Sequence, residues 1–131
     1  MGVAMPLHWK IAPLEQMVVC VSEGVVTKDE LLGYFKALEE AGAGHYRKML
    51  DASRAECHLT AGETAELAAY AKSLKAQGTP GPMAIFTGSS GNDAFLRNVS
   101  VLLRPGRRLR TFSTIHAARR WLDGAPPGRA S

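Results

Sequence analysis

Asp51, Ser53, Cys57, His58 and Thr60 stand close together, between a short apolar run and the next helical pattern. A second polar group, Ser89, Ser90, Gly91, Asn92 and Asp93, follows the apolar run Met83–Phe86. If both runs are parallel strands, the two groups emerge at the same end of a sheet, where open α/β sheets gather ligands and partners. A helix start lies behind each group. Free N–H groups and partial positive charge there favour an anion or a phosphorylated side chain. Ser89, Ser90, Gly91 and Asn92 are therefore candidate anion-binding residues. Asp51, Ser53, Arg54 and Thr60 are candidates for a partner face or phosphoswitch. The plainer reading is that Ser, Thr and Asp only cap helices and form turns. It explains Thr60 fully and Ser53 less well, because Ser53 precedes the cap by a whole loop.

Other chemistries fit poorly. Cys57 and His58 with Asp51 invite a nucleophile reading. Adjacent residues rarely aim both side chains at one reacting atom, and no oxyanion device can be named. A hydrolase using Cys57 or Ser53 is thus the weakest of three functional readings. Gly88-Ser89-Ser90-Gly91 lacks the Gly-Lys-Ser/Thr ending of a phosphate loop, which argues against a nucleotide hydrolase. No Cys-x-x-Cys or His-x-x-x-His spacing offers a zinc site, so neither metal nor cofactor is expected. Cys20, within an apolar run, reads as a small core residue. His8, His45 and His116 are scattered, and Trp9 and Trp121 read as packing anchors.

The elements that must position these residues are legible as strands and helices. Leu7, Trp9 and Ile11 alternate with His8 and Lys10, as in an edge strand with one wet face. Pro13 and the short link around it suggest a tight reversal into Met17–Val21, a run apolar on both faces. Thr27-Lys28-Asp29-Glu30 is a capping box. The helix after it presents Leu31, Leu32, Phe35 and Leu38, and Gly42 and Gly44 end it. Met49 and Leu50 read as the buried part of a central strand, followed by a polar loop from Asp51 to Thr60. Thr60-Ala61-Gly62-Glu63 is a second capping box, with Leu67, Ala71 and Leu74 on one stripe and a stop near Gly78. After the strand Met83–Phe86 comes a helix with Phe95, Leu96, Val99 and Leu102, broken by Pro105 and Gly106. Leu109–Phe112 reads as the other edge strand. Ser113 or Thr114 caps a last helix with Ala118, Trp121 and Leu122, closed by Gly124.

This order predicts an α/β fold: a mixed five-stranded sheet with an antiparallel first strand, the rest parallel, and about four helices packed on it. Val19, Leu50 and Ile85 should lie buried in its middle strands. At 131 residues the chain suits one domain. The expected division is a flexible start (1–6), the domain (7–124) and a flexible tail (125–131). The longest apolar run is far too short to span a bilayer, and Met1–Pro6 has no signal-peptide pattern, so a cytoplasmic location is expected. Charge is lopsided: residues 1–96 carry net −3 and residues 97–131 net +7, within an overall +4. No recognition helix or interleaved aromatics accompany the arginines, so they read as solubilising, and no nucleic-acid partner is expected.

The layout over about residues 7–123 resembles the STAS domain, in the branch of the bacterial anti-sigma-factor antagonists. Such antagonists carry Asp-Ser-Ser-Gly just after the central strand, and a partner kinase phosphorylates the second Ser. Asp51-Ala52-Ser53-Arg54 stands there, matching at Asp51 and Ser53 and departing at Ala52 and Arg54. The close of the chain, Ile115-His116-Ala117-Ala118-Arg119-Arg120-Trp121-Leu122 after a basic strand, is similar to STAS-like proteins grouped with lipid-binding Sec14-type domains. The resemblance implies a non-enzymatic signalling domain that docks a protein partner, such as a kinase or anti-sigma-like regulator, on the Asp51–Glu63 face. A homodimer is left open. The alternative is a module holding a lipid or nucleotide-like ligand between helices and sheet.

Overall fold

The computed structural model describes residues 7–73, 80–89, 91–99 and 108–129. The expectations at Leu74, Gly78, Ser90, Leu102, Pro105 and Gly106 fall outside them. The elements run β1 (Leu7–Ala12), β2 (Met17–Val26), α1 (Lys28–Ala41), β3 (Arg47–Cys57), α2 (Ala61–Ser73), β4 (Met83–Phe86), α3 (Asp93–Val99), β5 (Leu109–Phe112) and α4 (Ile115–Asp123). They form one five-stranded sheet in the order β1-β2-β3-β4-β5. β1 pairs antiparallel with β2, and the other pairs are parallel.

That order places the helices. Each parallel connection moves one strand in the same direction, so right-handed crossovers put α1, α2 and α3 on one face. α4 follows the last strand and takes the opposite face. The two cores show this division. Val18, Cys20, Ala52 and Ile85 pack with Tyr34 and Leu38 of α1, Leu67 of α2 and Phe95 of α3. Met17, Met49 and Ala84 pack with Ala118 and Leu122 of α4. Successive residues of a strand face opposite sides, which is why Val18 and Met17 belong to different cores.

The local signals explain the helix ends. Thr27 Oγ1 accepts from the Glu30 N–H, and Glu30 Oε1 accepts from the Thr27 N–H, closing the capping box of α1. Gly42, at φ +63°, ends α1 in the left-handed region that a Cβ disfavours. Thr114 caps α4 by accepting from the Ala117 N–H. Tyr34, which the apolar stripe of α1 did not include, is buried and meets Trp9 edge to face at 5.6 Å.

Two expectations need correction. Of Val19, Leu50 and Ile85, only Ile85 is fully buried; the other two are half-buried. Val19 faces the α4 side, where that helix packs mainly over β3, β4 and β5. The strand expected to end near Leu50 runs on to Cys57, so Asp51, Ser53 and Arg54 lie within a strand rather than in a loop after it. Beyond Gly124, Ala125 is buried and the Gly128 N–H donates to the His45 carbonyl at 2.7 Å.

Ile85 sits at the centre of the larger core with no solvent exposure. Replacing it with Ala removes most of a side chain the helices cannot collapse to fill. Urea unfolding of Ile85→Ala is expected to show a loss of about 2–5 kcal/mol; a loss within the error of the measurement would contradict this packing.

Candidate functional site

The parallel strands do not end together. β3 pairs with β4 only from Lys48 to Asp51, while its pairing with β2 continues to Cys57. The β2–β3 pair therefore projects beyond the rest of the sheet as a two-stranded ribbon. The register slips at its base: Val21 faces Asp51, but Glu23 faces Arg54. One extra residue in β3 is a bulge, which bends a strand and re-aims its side chains. Leu50 and Ala52 face the larger core before it; Ala55 and Cys57 do so after it. The inward positions change from even to odd.

Ser53 stands in this bulge. Its hydroxyl donates to Asp51 Oδ1 at 2.7 Å, and its backbone N–H donates to the same oxygen at 3.1 Å. Both side chains are half-buried. The turn after β4 comes close: a Cβ on Gly88 would lie 3.4 Å from Ser53 Cβ, and Gly88 has φ +81°. The positive φ is what favours glycine here, since a Cβ would make only an ordinary contact. Thr87, buried just before it, anchors the turn through its N–H to the Phe112 carbonyl at 2.9 Å.

Beyond Asp51, β3 has lost its β4 neighbour, and its carbonyls need donors. Asn92 supplies them. Its Nδ2 donates to the Ala52 carbonyl at 2.7 Å and to the Ala55 carbonyl at 2.8 Å. Its Oδ1 accepts from the Phe95 N–H at 3.4 Å at the start of α3. One amide thus replaces a missing strand and caps a helix. Asn92 read as an anion contact in the sequence, but its donors are committed to β3. Ser89 is exposed, Gly91 donates its N–H to the Gly88 carbonyl at 3.2 Å, and Ser90 lies outside the described residues.

The remaining candidates separate. Arg54 is exposed on the ribbon. Thr60 Oγ1 accepts from the Glu63 N–H at 3.1 Å, and Glu63 Oε1 accepts from the Thr60 N–H at 3.0 Å, completing the second capping box. Seven residues of largely extended chain put Thr60 roughly 20 Å from Ser53. The structure brings Asp51, Ser53, Gly88 and Asn92 together and leaves Thr60 apart. Cys57 is buried while His58 is exposed and lies 3.3 Å from Glu56 Oε2, so the two do not converge. Burial pushes the Cys57 thiol up, and a hydrogen bond from the Leu59 backbone offsets only part of that. A protonated thiol is a poor nucleophile.

The other end of β3 holds two features that sequence reasoning missed. Lys48 is buried, and its Nζ donates to the carbonyls of Ala43, Gly44 and Tyr46 at 3.3, 2.7 and 2.9 Å. A lysine one residue from Met49 gives no sign in the sequence that it turns inward. Arg47 donates to the Leu122 carbonyl at 3.0 Å and the Glu15 carbonyl at 2.7 Å. It lines an open groove of about 600 Å³ between the β1–β2 turn and the segment after α4. The groove lies at the end of the sheet opposite Ser53, not between α1–α3 and the sheet.

A crystal structure of an uncharacterised protein of the DUF3478 family from Shewanella loihica PV-4 is similar in fold. The match has a TM-score of 0.57 and covers 93% of this chain and 98% of that one, at 18% identity. That structure is described as having a SpoIIAA-like fold. This fold is SpoIIAA-like too. No family model matches the chain, and neither does any curated protein. The SpoIIAA-like arrangement agrees with the mixed sheet and four helices read from the sequence. Among the described residues, no helix is long and apolar enough to cross a membrane.

Two measurements test this geometry. Asn92→Ala leaves the Ala52 and Ala55 carbonyls without their donor, so stability should fall by about 1–3 kcal/mol. Amide exchange in residues 52–57 should quicken more than in β4. Equal quickening throughout would mean that Asn92 does not clamp the ribbon. Alkaline pH tests the thiols. Burial raises Cys20 from 9.0 to about 12, and Cys57 moves in the same direction. Unfolded chains therefore lose protons that the folded protein keeps, and stability falls as pH rises from about 9 towards 12. The slope is at most about 1.4 kcal/mol per pH unit for each thiol. Cys20→Ala should show a shallower decline in urea titrations across that range, and an identical decline would place Cys20 in contact with water.

Proposed function

We propose that the chain is a STAS-type regulatory domain that works by protein docking rather than by catalysis. Its docking surface is the β2–β3 ribbon from Asp51 towards Glu63, with Ser53 as the phosphoacceptor. The observation that carries this reading is the hydrogen bond from Ser53 Oγ to Asp51 Oδ1 at a bulge beside Gly88. It adds to the resemblance of Asp51 and Ser53 to the antagonists' motif. The partner is a protein, such as a kinase or an anti-sigma-like regulator, and the setting is the cytoplasm.

The chemistry of the switch is local. A phosphate on Ser53 replaces the donated proton with about −1.5 to −2 charges facing Asp51. The hydroxyl's contact to Asp51 Oδ1 turns from a hydrogen bond into a repulsion, leaving only the backbone N–H contact, and the bulge must re-form. Gly88 is a near neighbour of Ser53, so the added group reaches the turn that leads to Asn92. The clamp on Ala52 and Ala55 then loosens, and the ribbon surface changes shape. Arg54, exposed next in the chain, is the residue placed to offset the new charge. Thr60 is a weaker acceptor because its hydroxyl already caps α2.

The test uses the protein from its native source. Mass spectrometry reads whether Ser53 carries phosphate, and partner capture is compared for the parent, Ser53→Ala and Ser53→Asp, with and without phosphatase. The parent after phosphatase and Ser53→Ala should hold the partner, while Ser53→Asp should release it. If all three capture the same proteins and Ser53 is never modified, the switch is wrong.

A further inference from the structure

β5 is the last strand of the sheet, so one of its edges faces no other strand among the described residues. The bonds to β4 show which backbone groups point outward. The carbonyls of Arg108 and Phe112 accept from the N–H groups of Met83 and Thr87 at 2.8 and 2.9 Å. Strand residues alternate in the neighbour they bond. Leu109 and Thr111 therefore turn their N–H and C=O groups to the open edge. Such an edge is a template for an added strand.

The side chains around this edge are cationic. Arg108, Arg110, Arg119 and Arg120 are all exposed, and none is paired with a carboxylate among the described residues. Two of them have an aromatic footing. The Arg108 guanidinium lies 5.5 Å from the Trp121 ring and that of Arg110 lies 5.4 Å from the Phe112 ring. Phe112 and Trp121 touch each other at 5.8 Å. Both arginines are thus held beside the strand, over rings on the face shared with α4. Edge strands carry charges of this kind to repel neighbouring sheets. Here one sign of charge is gathered without its opposite, which selects a neighbour rather than refusing all of them.

We infer that the β5 edge, with Arg108 and Arg110, is a second docking surface that takes an extended acidic peptide segment by strand addition. Leu109 and Thr111 supply the backbone ladder, and the arginines choose carboxylate side chains on the face shared with α4. This surface lies two strands away from β3, and it does not depend on the Ser53 switch.

The probe is a short blocked peptide of alternating Glu and Val. Three comparison ligands go with it: a Lys–Val peptide, a Glu-rich peptide interrupted by Pro, and a short DNA duplex. Binding is read by fluorescence anisotropy and by backbone amide exchange on the full chain. The Glu–Val peptide should bind, protect the Leu109 and Thr111 amides, and weaken as salt rises. Arg108→Glu with Arg110→Glu should weaken it by about tenfold or more. Thr111→Pro removes one outward donor while keeping the charge, and should weaken it too; circular dichroism checks that both variants fold. Four results would overturn the proposal. The Pro-interrupted peptide or the duplex could bind as tightly, which makes the patch a general polyanion surface. The Lys–Val peptide could bind equally well. The variants could bind like the parent. Protection of the Leu109 and Thr111 amides could rise with protein concentration alone, which assigns the edge to a second copy.

Discussion

The site depends on an inequality of strand length. β3 outlasts β4, and a strand that loses a neighbour exposes carbonyls that water or another donor must satisfy. A single amide, that of Asn92, meets two of them and also starts α3. Because of it, the bulge at Ala52–Ser53, the Gly88 turn and α3 are one mechanical unit.

The two faces of the sheet are built differently, and this follows from the strand order. Three helices cover one face and bury an extended apolar cluster. One short helix covers part of the other with a small cluster of Met17, Met49, Ala84, Ala118 and Leu122. Charge is uneven along the chain: residues 97–131 hold eight of the ten arginines and one acid, while residues 1–96 carry 11 acidic and 8 basic residues.

At the far end of β3, two cations donate to backbone carbonyls. Lys48 gathers three carbonyls where α1 passes into β3, and Arg47 ties the β1–β2 turn to the end of α4. Buried charge is tolerated only where such partners surround it. Chain crossing is tight here as well: a Cβ on Gly81 would fall 2.0 Å from the Tyr46 carbonyl oxygen. This end is held by close backbone contacts.

The sequence by itself determined the element order, both capping boxes, the antiparallel opening and the two short strands β4 and β5. These rest on neighbours in the chain: an N-cap side chain reaches its own helix, and an apolar run needs no knowledge of its partners. It put Asp51 and Ser53 in a loop after the central strand, whereas both lie within β3. The length of β3 was hidden because the bulge moves the inward positions from Leu50 and Ala52 to Ala55 and Cys57, which breaks the period of two that marks a strand. The use of Asn92 was hidden for another reason. Its partners, Ala52 and Ala55, are about forty residues away in the chain, and only the sheet brings them within reach. Lys48 was invisible for the same cause: what it binds is a set of carbonyls, and carbonyls have no signature in a sequence. Tertiary structure alone decided which polar residues serve the fold and which stay exposed.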